Sequence, residues 1–236
     1  MIPDTRLGRL AGILYLIVVV TGLFSLGYVP SQLSVHNDPL ATLDRIAVSD
    51  VLFRYGVAAF LVEQVAYLLL ALVLFRLLRS VDQSMAAVMV AFVVVAVPMA
   101  LVALTHRLGV LSLLEHAGPD IHDAQLALQA RSLLETYRNG LLLTSLFWGL
   151  WLFPLGYLVF QSGFLPKLLG IFLMLGCVGY VVDVFCSVLT PHYADMPISS
   201  YITLPAAIGE IGTCLWLLLF GTSRPFARRS GFPSAP

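Results

Sequence analysis

Apolar residues gather in six long runs: Leu10 to Val29, Tyr55 to Leu78, Met85 to His106, Gly140 to Phe160, Leu165 to Leu189 and Tyr201 to Gly221. Each matches the roughly 20 residues needed to cross a hydrocarbon core of about 30 Å. Inside lipid no water pairs with backbone N–H and C=O groups, so each run must satisfy its own and be a helix. Pro30 is placed to end the first run. Arg6 and Arg9 ahead of that run suggest a signal peptide, but it is longer than a secretory apolar core and no small-x-small cleavage pattern follows, so it reads as the first span. The pattern predicts an all-α membrane protein, a six-transmembrane-helix bundle over residues 1–223, followed by a basic, disordered tail over residues 224–236. Composition agrees. Hydrophobic residues make up 59% and charged residues 11%, with a mean hydropathy of +0.94, whereas a soluble domain is nearer half apolar and a quarter charged.

Two polar stretches carry structure of their own. Over residues 31–54, Asp38-Pro39 is set to open a short helix and Ser49-Asp50 to cap the second span. Over residues 107–138, Ile121, Leu126, Leu128, Leu133 and Leu134 recur at helical spacing. They predict an amphipathic helix in the outer loop between spans three and four, on the membrane surface or over the bundle. Orientation follows from basic residues. Arg6, Arg9, Arg76, Arg79, Lys167, Arg224, Arg228 and Arg229 fall on one side, eight of the 13 Lys and Arg. Arg45, Arg54, Arg107, Arg131 and Arg138 fall on the other. The richer side is cytoplasmic, so both termini face inward.

Charge inside the spans narrows the chemistry. Glu63, Asp183 and Glu210 sit within spans two, five and six. An ionised side chain at mid-bilayer costs about 2.5–3.5 kcal/mol on insertion scales, so such groups face the bundle interior or water. At the helical rise per residue, all three lie roughly 10–14 Å below the outer end. Gln64 and Tyr67 flank Glu63, Tyr180 is one turn from Asp183, and Thr213 and Cys214 are one turn from Glu210. His106 and Arg107 stand at the outer mouth of span three. Together these predict an outward-opening acidic cavity. Glu63, Asp183 and Glu210 are its ligand-binding core, with Tyr67, Tyr180, His106, Arg54 and Arg107 around them. The alternative is that each acid is protonated or paired and only holds helices together.

Other features point to packing or solvent. His36, His106, His116, His122 and His192 all fall on or near the outer side, but without ligand spacing such as HExxH, so they read as solvated loop residues and no metal site is assigned. Only His106 lies near a span, which excludes a bis-histidine haem, and no cofactor is expected. Cys177, Cys186 and Cys214 lie inside apolar runs with no CxxC pair and read as small packing residues. Gly8, Gly12, Gly170, Gly176, Gly179, Gly209 and Gly212 let helices approach closely. Pro98 and Pro154 lie within spans, where each frees a carbonyl. Trp148 and Trp151 read as packing or lipid-facing. No phosphate-loop, dinucleotide or GxSxG signature occurs, and a formal net charge of zero with no basic-aromatic stretch excludes nucleic acid as a partner. The bilayer is the expected partner, and nothing in the chain sets an oligomeric state.

Several stretches carry a resemblance: Arg9 to Leu16, Leu52-Phe53-Arg54, Phe147-Trp148-Gly149-Leu150, Gly156-Tyr157-Leu158, Ser162 to Gly170, Gly179-Tyr180, Pro205 to Glu210 and Leu215-Trp216-Leu217. Together they resemble a family of small bacterial integral membrane proteins known only as domain of unknown function 4386. The junction of spans four and five is the most specific part. The resemblance implies a multi-pass bacterial inner-membrane protein of six spans and transfers no catalytic residue. Glu210 and Arg54 fall inside the resembling stretches.

Two functions from different classes fit these residues. One is binding or transport of a small cation, proton or amphiphile in the acidic cavity. The other is an intramembrane enzyme that protonates a lipid or isoprenoid substrate, as terpene cyclases do, an analogy of architecture alone. A ligand-free membrane scaffold is the plainer third. The enzyme predicts a greasy aromatic pocket with an acid at its base. The scaffold predicts paired acids and no cavity.

Overall fold

The computed structural model describes residues 5–35, 38–116, 124–193 and 196–222. Among them there is no strand, and six helical stretches are long and apolar enough to cross a membrane. They are Thr5–Leu33, Asp50–Leu78, Gln83–His116, Ala124–Ser162, Lys167–Leu189 and Pro197–Phe220. The chain is therefore an all-α, six-span membrane protein.

Span one has three parts: α1 (Thr5–Gly22), a π-helical turn (Leu23–Tyr28) and α2 (Val29–Leu33). The helix thus passes Pro30, where the sequence suggests a stop. Pro30 lies in the first turn of α2, directly after the π-turn. The bonding register changes there, so the amide that proline lacks is not required. A short helix, α3 (Pro39–Val48), follows, and Asp38 Oδ1 accepts the Ala41 amide at 2.9 Å to cap it. Span two is α4 (Asp50–Leu78). Ser49 stands at its N-cap, yet the Ser49 side chain makes no capping bond, and Asp50 in the first turn supplies the favourable negative charge.

Span three, α5 (Gln83–His116), runs unbroken through Pro98. Its 34 residues make a helix of about 51 Å, longer than the roughly 30 Å hydrocarbon core. Span four comprises α6 (Ala124–Leu150) and α7 (Leu152–Ser162), separated at Trp151. Pro154 cannot bond back to the Leu150 carbonyl, which places the break there. The amphipathic stretch expected in the loop is the outer part of α6 and is continuous with span four. Leu126, Leu133 and Leu134 pack into the outer core with Leu113 and Leu114 of α5, so the two long helices extend the bundle as a pair. Span five is α8 (Lys167–Leu189), and α9 (Leu204–Phe220) follows a 3₁₀ turn (Pro197–Ser200) in span six.

The spans form a ring in chain order. Helix α1 packs on α4, α4 on α5, α5 on α6 and α7, those on α8, α8 on α9, and α9 back on α1. At the closing seam a Cβ added to Gly12 would lie 2.4 Å from the Leu218 amide, so only glycine lets these two backbones meet. Thr5 and Thr222 hydroxyls share a 3.2 Å hydrogen bond across the same seam. Two apolar cores fill the ring. One, around Tyr15, Tyr67, Leu70 and Trp151, lies toward the inner end. The other, around Phe53, Phe60, Val110 and Tyr137, lies toward the outer end. Here "outer" is the end assigned by the basic-residue count. His36, Asp120, Ile121, His122, Asp123, Asp195 and residues 224–236 lie outside the described residues.

Candidate functional site

Where the two cores meet, a cavity of about 430 Å³ opens between spans one, two, four, five and six. Glu63 of α4 and Glu210 of α9 both line it, with Tyr15, Tyr67, Trp148, Trp151 and Tyr180 as its aromatic wall. Among the described residues no Lys, Arg or His contributes to the lining. The break in span four puts Trp151 at the centre, 2% exposed. Its ring meets Tyr67 edge-on with centroids 5.0 Å apart and Tyr15 at 6.1 Å. Tyr180 reaches the wall because span four has Gly149 opposite it. A Cβ on Gly149 would sit 2.3 Å from that of Tyr180.

Each carboxyl accepts a hydroxyl hydrogen bond. Tyr15 donates to Glu210 Oε1 at 3.2 Å, and Ser25 of the π-turn donates to Glu63 Oε2 at 3.3 Å. The Tyr67 hydroxyl is buried, lines the cavity and has no hydrogen-bond partner. The cavity reaches the surface between the π-turn and α9, where Leu23 is 65% and Ile211 44% exposed. That mouth lies on the flank of the bundle.

The other sequence candidates stand elsewhere. Asp183 does not line the cavity. It accepts a hydrogen bond from Tyr193 at 3.1 Å and so ties span five to the loop that follows it. Arg54 lies half exposed at the outer end, 3.2 Å from Asp50 and 2.9 Å from Glu115. It links spans two and three, and exposed pairs of this kind are worth roughly 0–1 kcal/mol. His106 Nδ1 lies 3.1 Å from the Ala103 carbonyl, one turn back on its own helix. Among the described residues no three His, Cys, Asp or Glu side chains gather as a metal site.

Arg107 belongs to a second hollow. This outer pocket, about 730 Å³, lies between the π-turn, α2, α3 and the outer part of α6. The Arg107 side chain is buried at its floor, with its guanidinium carbon 4.7 Å from the Tyr137 ring centre and 5.2 Å from that of Phe53. Nη1 donates to the Ser25 carbonyl at 3.4 Å. Leu26 lines both hollows, so the π-turn is their shared wall. Desolvating a buried ion costs several kcal/mol, and each ring face offsets about 0.5–2 kcal/mol of that.

Sequence reasoning passes over Tyr15 and Ser25 and assigns Trp148 and Trp151 to packing or lipid. Tyr15 faces inward because it follows Ala11 and Gly12 on the buried stripe of α1, a helical spacing visible in the sequence. Ser25 leaves no such signal, since its direction depends on the π-turn.

The chain is thus a six-span membrane protein with two acids lining one aromatic-walled hollow inside the bundle. A family model, Domain of unknown function (DUF4386), matches residues 10–221, and the chain belongs to that family. An uncharacterized protein of Archaeoglobus fulgidus is 32% identical over 76 residues, which cover 32% of this chain and 43% of that relative. The match thus spans less than half of the relative's length. No solved structure matches the chain.

Proposed function

We propose that the inner cavity binds an amphiphilic organic cation that enters sideways from the bilayer, in a bacterial inner membrane with both termini cytoplasmic. The observation that carries this reading is that Glu63 and Glu210 share one aromatic-walled cavity with no base among the described residues of its lining. A cation gains twice there, from the carboxyls and from the faces of Trp and Tyr rings, where a desolvated contact is worth about 2 kcal/mol. The volume fits a small ligand, within the roughly 300–1,000 Å³ usual for such sites. The mouth flanked by Leu23 and Ile211 suits a ligand dissolved in lipid. Glu63, Glu210, Tyr67 and Tyr180 carry the site, joined by Tyr15 and Trp151. Asp183, His106 and Arg54 have no part in it. Binding is the step this reading assigns, and transport would add a second opening.

The test is titration of the purified protein in detergent with tetraphenylphosphonium, read by quenching of Trp148 and Trp151 fluorescence. Glu63→Gln and Glu210→Gln should each weaken binding about tenfold, the loss of roughly one charge-assisted interaction. Equal affinities in wild type and both variants would remove the acids from the site.

The greasy aromatic wall beside the acids also fits a proton donor acting on a polyene. That second reading requires a cyclised or isomerised product when the protein is incubated with a linear isoprenoid. The hydroxyl donors already directed at both carboxyls favour the acceptor role instead.

A further inference from the structure

We propose that the outer pocket is an oxyanion site, which takes the phosphate of an anionic lipid headgroup or of a free phosphate, with Arg107 as its charge partner. Arg107 is buried without a counter-ion. It is 4% exposed and forms no ion pair with any described carboxylate. Its neighbours are two ring faces and one long bond to a backbone carbonyl, and its Nε has no hydrogen-bond partner. Ring faces satisfy a guanidinium from above and below and leave in-plane N–H donors free, and those donors match a phosphate or carboxylate edge.

The pocket supplies a second free donor. Tyr137 is 7% exposed, lines the pocket, and its hydroxyl has no hydrogen-bond partner. The two acids that also line the pocket each have a partner, and that of Glu135 is Arg131, another lining residue. Asp38 caps α3 through the Ala41 amide, and Glu135 pairs with Arg131 at 2.7 Å. Arg138 stands exposed at the rim and adds positive charge. The remaining lining mixes the hydroxyl residues Ser31, Ser34 and Thr42 with an apolar part that includes Leu26, Pro30, Leu43, Ile46 and Leu141, and that part suits the glycerol and first methylenes of a lipid. This site does not depend on the inner cavity's occupant.

Two variants test it in detergent-purified full-length protein, with circular dichroism melting as the check on folding. Calorimetry with inorganic phosphate reads the free ion. Native mass spectrometry with phosphatidylglycerol against phosphatidylcholine reads the headgroup. Wild type should bind phosphate, or retain phosphatidylglycerol in preference to phosphatidylcholine, and the productive arm identifies the source. Arg107→Gln should reduce that binding at least tenfold. Tyr137→Phe keeps the ring over Arg107 and removes only the free hydroxyl, so it should cost three- to tenfold with the melt unchanged. If Arg107→Gln does not fold, Tyr137→Phe decides alone. Absence of binding in both arms, or binding that folded variants leave unchanged, overturns the proposal.

Discussion

Leu26 faces two hollows that handle buried charge in opposite ways. On one side, two carboxyls sit among aromatic rings and receive hydroxyl hydrogen bonds from Tyr15 and Ser25. On the other, a single guanidinium lies over two aromatic rings and donates to one carbonyl. The simplest arrangement would be to pair the opposite charges. The chain instead places Ser25 between them, with its hydroxyl on Glu63 and its carbonyl on Arg107. A buried ion pair does little for stability once desolvation is counted, so little is forfeited by keeping the charges apart. What results is two hollows whose buried charges have opposite sign. The π-turn makes this possible, because the widened turn sets a serine and a leucine into the partition, and such bulges are common at functional sites.

The sharpest way to break this division is the double variant Glu63→Gln/Glu210→Gln. Tetraphenylphosphonium binding should fall by about a hundredfold or more, because both carboxylate charges are removed from the cavity at once. Phosphate or phosphatidylglycerol binding should stay within about twofold of wild type. Parallel loss at both sites would make the two hollows one. Ser25→Ala comes next. Loss of one buried hydrogen bond, about 1 kcal/mol, predicts about a fivefold drop in the inner cavity and a smaller drop, about twofold, in the outer pocket, where the carbonyl remains. A third variant addresses the inner site alone. A Cβ at Gly22 would stand 3.2 Å from Glu63 Oε1, so Gly22→Ala should weaken cation binding about threefold and leave the melting temperature near wild type. The smallest effect is expected for Arg54→Gln, which removes exposed ion pairs to Asp50 and Glu115 and should change stability by less than about 1 kcal/mol with both ligands bound as before.

The spans were legible because lipid imposes a coarse rule: length and apolarity suffice. The shared cavity of Glu63 and Glu210 was half legible. Equal depth below the outer end suggested a meeting, but Asp183 shares that depth and is turned toward Tyr193. Depth is one coordinate and rotation about the helix axis is another, set by packing that the sequence does not display. Pro30 shows the same gap. Proline usually ends a helix, and only the π-turn before it, which has no sequence signature, lets span one continue to Leu33. Trp151 looked like a lipid-facing or packing residue until the break before Pro154 placed it in the cavity wall. Arg107 was found for the wrong neighbourhood: its position at the outer mouth of span three was visible, and the rings that enclose it came from spans two and four.

The seam that joins the first helix to the last bears on how the protein is made. Tyr15 leaves the ribosome long before Glu210, 195 residues behind it in sequence. Until that partner is inserted, α1 can lean on α4 and, through Tyr15, on Trp151 of span four, while its glycine face is left against lipid. The ring therefore closes when α9 is inserted, and a nascent chain stopped short of α9 would sit in the bilayer as an open crescent without its inner cavity. The same closeness of Thr5 to Thr222 means that a short tether across the seam, with a new opening cut in another loop, should yield circular permutants that still assemble.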